Sequence, residues 1–309
     1  MERGGTCFEG PNEQSAIPDT WFGEDTWFGW GAIPDTWFGG YTWGMAYGYR
    51  QTYQLRTGDF DRHGHVKPSA VLDVCQDCAG QNAESMPGMD FESMSERGLI
   101  WVVTRLGYEV CRQPRLHEQV EVETWPLAPT RKGFQREYRI TSLDGETLAV
   151  GSSEWVIMSF EERTLVSGRE FAAGEDGSGS GVGAGSGSGA GSGSGSGMYR
   201  SDTVLDWRLR KLAAPEGLET VRTVRPGESD IDVNGHVNNA RYADWGLDAL
   251  SLGAGEAVSR LQIDFRHELL EGEELHVAAQ RDGGAWTVVG SVGAGEEART
   301  SFVMRAEVG

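Results

Sequence analysis

A Gly/Ser run at 174–197, GEDGSGSGVGAGSGSGAGSGSGSG, divides the chain into two stretches with the same order of elements. Nothing in that run can bury a side chain, so it reads as a flexible linker. A coil of this length reaches roughly 25–30 Å, enough to join two bodies lying side by side. The foldable sequence is then confined to 45–172 and 198–309, with 173–197 between them.

In the first stretch YRQTYQLRT (49–57) alternates as a strand, and a helix is expected from Pro68 to Met86. Proline suits a first helical turn because its missing N–H has no partner there anyway. Strand-like runs follow at 99–110, 119–125, 134–141 and 147–160, with Asp144-Gly145 as the hairpin turn between the last two. The second stretch gives a strand at 219–225, a helix over 238–252, and strands at 259–267, 274–280, 285–292 and 299–308, with Asp282-Gly283 as the matching turn. Each half is thus β-α-β-β-β-β, and a strand meander of this kind buries its one helix by curling around it. His65 to Asp144 spans 79 residues and His236 to Asp282 only 46, so the first half carries extra sequence. Most of it lies in MPGMDFESMSERG (86–98), after the helix, where a lid or pocket wall is expected.

The two halves share one unusual loop. SDIDVNGHVNNARY (229–242) aligns with DFDRHGHVKPSAVL (59–72), setting Asp232 on Asp61, Asn234 on His63, Gly235 on Gly64 and His236 on His65. So many special residues at one offset indicate duplication. Asp232, Asn234 and His236 alternate, so an extended backbone would put them on one face. Gly235 permits a positive φ just before a helix whose first N–H groups have no internal partner and favour negative charge. The plain alternative is a polar turn, with Asp232 and Asn234 bonding their own backbone and Asn238 or Asn239 capping the helix.

The net charge of −20, with no basic segment, excludes general nucleic-acid binding, because phosphate neutralisation needs a positive surface. No run approaches the ~18–20 apolar residues of a membrane span. The first thirty residues show neither an apolar signal core nor an Arg-rich transit pattern, and a cytoplasmic protein with reduced thiols is expected. Residues 1–44 repeat AIPDTWFG (16–23, 32–39) without strand or helix period, and read as a low-complexity Trp/Gly-rich tail without a fold, ahead of a start at Met45. Cys75 and Cys78 sit at helical spacing among apolar residues, with no second pair, and are expected in the core rather than on a metal.

The segments SDIDVNGHVNNARYADW (229–245) and LQIDFRHELLEGEEL (261–275), with FDRHGHVKPSAVLDVCQDCA and FQREYRITSLDGE…SSEWVIMSF in the first half, resemble the acyl-ACP thioesterase family. The string DxxGHVNNxxY is shared with hotdog acyl-CoA thioesterases; two copies with a longer first half favour the acyl-ACP branch. The resemblance implies an α+β fold of two tandem hotdog domains forming a pseudo-dimer, with acyl-chain binding in 45–172 and catalysis in 198–309. It implies release of free fatty acid from acyl carrier protein, with no cofactor and no metal. A second copy of the chain is a further partner considered. By position the catalytic set is Asp232, Asn234, His236 and Glu268. Members often carry cysteine after that glutamate; here Leu269 stands there and 198–309 contains no cysteine, so activated water or a carboxylate must do the work. Glu268 or His236 would activate water, Asn234 fix the water or the carbonyl, and Asp232 orient the network. The alternative makes Asp232 the nucleophile or general base. Leu261, Ile263 and Phe265 alternate inward, so Glu268 falls on the wrong parity unless a bulge intervenes or the site lies on the polar face.

In the first half His63 replaces Asn234, Lys67-Pro68 replaces the paired asparagines, and no strand matching RHE (266–268) is evident, so His65 reads as a relic bracing its helix. Docking of an acidic carrier needs a local cationic patch, for which Arg131, Lys132 and Arg136 are the candidates. The rival enzyme, a hotdog dehydratase, has Asn-Pro before its histidine where Gly235 stands here. A hotdog acyl-CoA thioesterase and a non-catalytic acyl-chain binder are the other readings.

Overall fold

Alternating apolar residues in both halves produce the strands expected of them, with ends displaced by a few residues where local hydrogen bonds intervene. The computed structural model describes residues 48–86, 88–173, 199–233, 235–293 and 298–309. The tail, the linker beyond Ala173 and Asn234 lie outside the described residues. The first half comprises β1 (Tyr49–Gln54), α1 (Pro68–Glu84), α2 (Phe91–Glu96), β2 (Leu99–Val110), β3 (Gln119–Pro126), β4 (Phe134–Ser142), β5 (Thr147–Ser159), β6 (Leu165–Val166) and α3 (Gly168–Ala173). The second comprises β7 (Thr220–Val224), α4 (Asn239–Ala249), β8 (Val258–Phe265), β9 (Leu275–Asp282), β10 (Ala285–Val292) and β11 (Arg299–Val308). Strand β1 is shorter than its alternation suggests because Asp59 accepts the Arg56 N–H at 2.6 Å and closes Thr57–Asp59 into a 3-10 turn.

All strands join one antiparallel sheet in the order β1-β3-β4-β5-β2-β8-β11-β10-β9-β7, with β6 added on β5. Read from either edge inward, the order is the same for the two halves, as a pseudo-twofold arrangement requires. The halves meet where β2 pairs with β8, Leu106 opposite Ile263. Helices α1 and α4 pack against each other, α1 also on β1 and β3, α4 also on β7 and β9–β11. This is the α+β double hotdog expected.

Burial follows the helical period. Val71, Leu72, Cys75, Cys78 and Ala79 of α1 are each 5% exposed or less, which places both cysteines in the core. Burial pushes the Cys78 thiol up to about 12. Leu261 and Ile263 of β8 are fully buried, and truncating either to alanine would cost about 2–5 kcal/mol.

One segment carried no sequence signal. Residues 199–212 form a strap crossing from β3 to β8, held by Trp125 Nε1–H to the Asp202 carbonyl (3.0 Å), Val204 N–H to Glu137 (2.9 Å) and Leu212 N–H to Asp264 (2.8 Å). A Cβ on Gly107 would lie 2.5 Å from Leu209, so the strap sits directly on the β2 backbone. Glu137 and Asp264 are buried beneath it and each takes one of its N–H groups, alongside Ser152 on Glu137 (2.8 Å) and Arg105 on Asp264 (2.8 Å), so that neither buried carboxylate is left unpaired.

Candidate active site

The loop of the second half is a tight hairpin, not the extended run that alternation suggested. Gly235 N–H donates to the Asp232 carbonyl at 3.0 Å, and Asp232 N–H to the His236 carbonyl at 2.8 Å. Gly235 takes φ +73°, a region that costs other residues steric strain. Ile231 and Val237 pair across the base, and Asn238 N–H reaches the Asp230 carbonyl at 2.9 Å. Asn238 then caps α4, its side-chain oxygen accepting the Ala240 N–H at 2.8 Å. His236 therefore emerges at the foot of the hairpin, immediately before a helix N-terminus, with Asp232 opposite it. Val233, at the tip, is 91% exposed.

Glu268 arrives from β8. Pairing of that strand ends at Phe265, because Arg266 N–H and His267 N–H both donate to the Ser301 carbonyl, at 2.8 and 3.2 Å. Two donors on one acceptor is a bulge, the irregularity needed to free the chain from alternation. Leu269 is then buried, its N–H donated to the Tyr242 hydroxyl at 3.1 Å, while Glu268 turns to the rim. There Glu268 Oε2 lies 2.9 Å from His236 Nε2. Tyr242, whose phenol burial pushes up to about 12, stacks edgewise on Trp245, Phe265 and Phe302 and so fixes the bulge to α4. Arg163, from the turn between β5 and β6, completes the group with Nη2 2.9 Å from Glu268 Oε1. Nothing in the sequence around Arg163 marked it.

Beside the start of α4, the Asn239 amide donates to Gln76 of α1 at 2.9 Å. Gln76 is also at the edge of a cavity of about 670 Å³, part of it open to solvent, lined by Ala79, Ala83, Met86, Met89, Trp101 and Phe134. Met86 and Met89 belong to the extra sequence of the first half, which thus forms a pocket wall. Arg136 borders the same cavity. Its Nη1 donates to Asn82 at 2.6 Å and to Thr124 at 3.3 Å, and burial pulls its guanidinium below the usual arginine value. It is turned inward, so of the three cations considered for docking only Arg131 and Lys132 remain exposed, on the turn between β3 and β4.

The first-half loop repeats the backbone of the second. Gly64 N–H reaches the Asp61 carbonyl at 3.1 Å, Asp61 N–H the His65 carbonyl at 2.8 Å, and Gly64 takes φ +85°. The bulge is repeated as well: Cys111 and Arg112 N–H groups both donate to the Leu148 carbonyl, at 2.8 and 3.1 Å. CRQ (111–113) is therefore the counterpart of RHE (266–268), which the sequence comparison missed, and Gln113 stands where Glu268 stands. Its side-chain carbonyl accepts the Val66 N–H at 3.1 Å. A signal was available: Arg115-to-Glu118 and Leu270-to-Glu273 make the same turn, closing with positive φ at His117 and Gly272.

A helix half-wrapped by a sheet in each of two fused halves, with a His–Glu pair at one helix start, defines a double-hotdog protein. Comparison with known proteins makes this specific. Residues 46–170 match the acyl-ACP thioesterase N-terminal domain and residues 215–308 the acyl-ACP thioesterase C-terminal domain. The chain belongs to the acyl-ACP thioesterase family. A chloroplastic palmitoyl-acyl carrier protein thioesterase of Gossypium hirsutum is 31% identical over 231 residues, 71% of this chain and 52% of that protein. Its namesake from Arabidopsis thaliana is 29% identical over 232 residues, with the same coverage of 71% and 52%. The chain spans about half the length of these curated relatives. Among solved structures, an acyl-ACP thioesterase from Bacteroides thetaiotaomicron superposes with TM-score 0.69 at 20% identity, covering 85% of this chain and 98% of that one. The 12:0-ACP thioesterase of Umbellularia californica does so with TM-score 0.68 at 24% identity and the same coverage of 85% and 98%.

Proposed function

We propose that this chain hydrolyses the thioester of a fatty acyl group carried on acyl carrier protein, releasing the free acid. The observation that carries the reading is His236 Nε2 at 2.9 Å from Glu268 Oε2, at the start of α4. The apolar cavity begins one hydrogen bond away, at Gln76. The names of the plant relatives agree with it.

The pair activates water. As water oxygen bonds to the thioester carbon, its proton passes to the His236–Glu268 pair, and Glu268 stabilises the charge the imidazole then carries. The carbonyl oxygen becomes an oxyanion, which the Val237 N–H and the N-terminus of α4 stabilise. The first half supports that assignment: at the equivalent Val66 N–H, the Gln113 carbonyl sits at 3.1 Å, so an sp² oxygen fits this position. The carbon–sulfur bond then breaks, and His236 returns the proton to the leaving thiolate. Asp232 braces the hairpin foot opposite His236, and Asn234 is assigned to hold the water or the carbonyl. With Leu269 buried after Glu268 and no cysteine in 198–309, no thiol of this half takes part. Arg131 and Lys132 lie on the exposed turn just before Phe134 of the cavity wall and are assigned to carrier docking.

The test is thiol release from acyl-ACP and acyl-CoA, measured beside dehydration of a 3-hydroxyacyl substrate. Thiol release that is faster on the carrier protein, and lost in His236→Ala, is expected. Dehydration without hydrolysis, or acyl binding without either, would overturn the reading.

A further inference from the structure

We infer that Arg163, a residue of the first half, is a positioning residue of the catalytic pair in the second half. The inference rests on the hydrolase reading for its rate effects, but its geometry is independent of that reading. Glu268 is shared between two partners. Oε2 faces His236 Nε2 at 2.9 Å, and the carboxylate receives both terminal nitrogens of Arg163, Nη2 on Oε1 at 2.9 Å and Nη1 on Oε2 at 3.5 Å. A planar guanidinium gripping a carboxylate in this forked way fixes the carboxylate plane as well as its charge. Glu268 follows a bulge and is held by no regular strand pairing, so its three side-chain torsions need an external restraint if Oε2 is to face the imidazole.

The backbone around Arg163 is built to deliver that restraint. Arg163 takes φ +55°, in the left-handed region that favours glycine and asparagine. It is locked there by Arg163 N–H to the Ser159 carbonyl at 3.0 Å and Ser159 N–H to the Thr164 carbonyl at 2.9 Å. The ion pair is half exposed on both sides, 51% for Arg163 and 37% for Glu268, so solvent screening leaves it little to contribute to stability. What the pair does supply is geometry: it sets the plane of the Glu268 carboxylate. The duplicated loop supplies a contrast: Gln113, the counterpart of Glu268, is neutral and needs no cation to hold or balance it.

Arg163 is expected to act as follows in full-length protein. Arg163→Gln lowers kcat on acyl-ACP roughly 10- to 100-fold with KM within about twofold, and leaves Tm within about 2 °C, because a misplaced Glu268 affects the reacting geometry and not substrate binding. Arg163→Lys, which keeps the charge but loses the fork, recovers part of kcat. The double variant Arg163→Gln/Glu268→Gln is no slower than Glu268→Gln alone, since the arginine acts only through the glutamate. Imidazole ¹⁵N resonances of His236 in labelled protein give a readout that needs no turnover: they shift in Arg163→Gln toward their position in Glu268→Gln. Wild-type kcat in Arg163→Gln, or His236 resonances unmoved by it, overturns the inference. If the wild-type protein releases no thiol, the hydrolase reading fails, and the resonances alone then decide the role of Arg163.

Discussion

The two copies of the histidine loop differ far less in backbone than in what their side chains can do. Each is entered through a 3-10 turn, Thr57–Asp59 or Glu228–Asp230, whose last aspartate accepts an N–H three residues back. Each closes on a glycine at positive φ, and each faces a bulge in which two successive N–H groups share one carbonyl. Against that common frame, Asn234 has become His63, Glu268 has become Gln113, and the capping Asn238 has become Lys67, whose helix start shows no side-chain cap. Asp61 spends its carboxylate on the His63 and His65 N–H groups, at 2.8 and 2.9 Å. Burial acts to raise its pKa, but these backbone donors outweigh that and hold it below the usual value. Glycine, turns and a bulge thus keep one scaffold in both loops, while the carboxylate of Glu268 in the second has the neutral amide of Gln113 as its counterpart in the first. The first half also carries the extra sequence after its helix, and most of the cavity lining.

The sharpest way to break this comparison is to treat the two loops alike. Either His236→Ala or Glu268→Gln is expected to cut kcat/KM by about 10²–10⁴-fold, the range for loss of a general base, whereas His65→Ala stays within about twofold. Equal losses in steady-state assays of both histidine variants would make the loops functionally equivalent. Next in size is the effect expected from the binding role proposed for the first half. Reversing charge with Arg131→Glu and Lys132→Glu is expected to raise KM for acyl-ACP about 10-fold, with kcat retained and the difference shrinking in high salt. An unchanged KM would remove the docking surface.

Asp61→Ala should lower stability by about 1–2 kcal/mol, through two unpaired N–H groups, with hydrolysis intact. The sign of its pH dependence follows from the lowered folded-state pKa: the stabilisation is present above the unfolded value near 3.8 and disappears as pH falls through the lower folded one. Melting curves of wild type and Asp61→Ala should therefore converge as pH drops below that value, and a constant gap would contradict the assignment. The smallest expected effect is that of Gln113→Glu. Restoring the carboxylate alone should change the hydrolysis rate by less than about twofold, because His63 still replaces Asn234. A measurable second activity in this variant with Glu268 neutralised would show that the first loop needs only a carboxylate to become a working site.

Much of this protein was readable from its residues in order. The strand alternation, the Asp-Gly turns, the paired glycine loops and Pro68 at a helix start all depend on hydrogen bonds and packing between near neighbours, so they leave a period or a motif. The helix face of Val71, Leu72, Cys75 and Cys78 was legible for the same reason. The meeting of His236 with Glu268 was expected from resemblance, yet strand parity argued against it until the double bond to the Ser301 carbonyl showed how the chain escapes alternation. The inward turn of Arg136, the strap at 199–212 and the arrival of Arg163 from 105 residues away had no local mark. Those were decided in three dimensions, because they depend on which strands become neighbours and where a bulge lifts the chain, and side chains brought together in that way obey no sequence period.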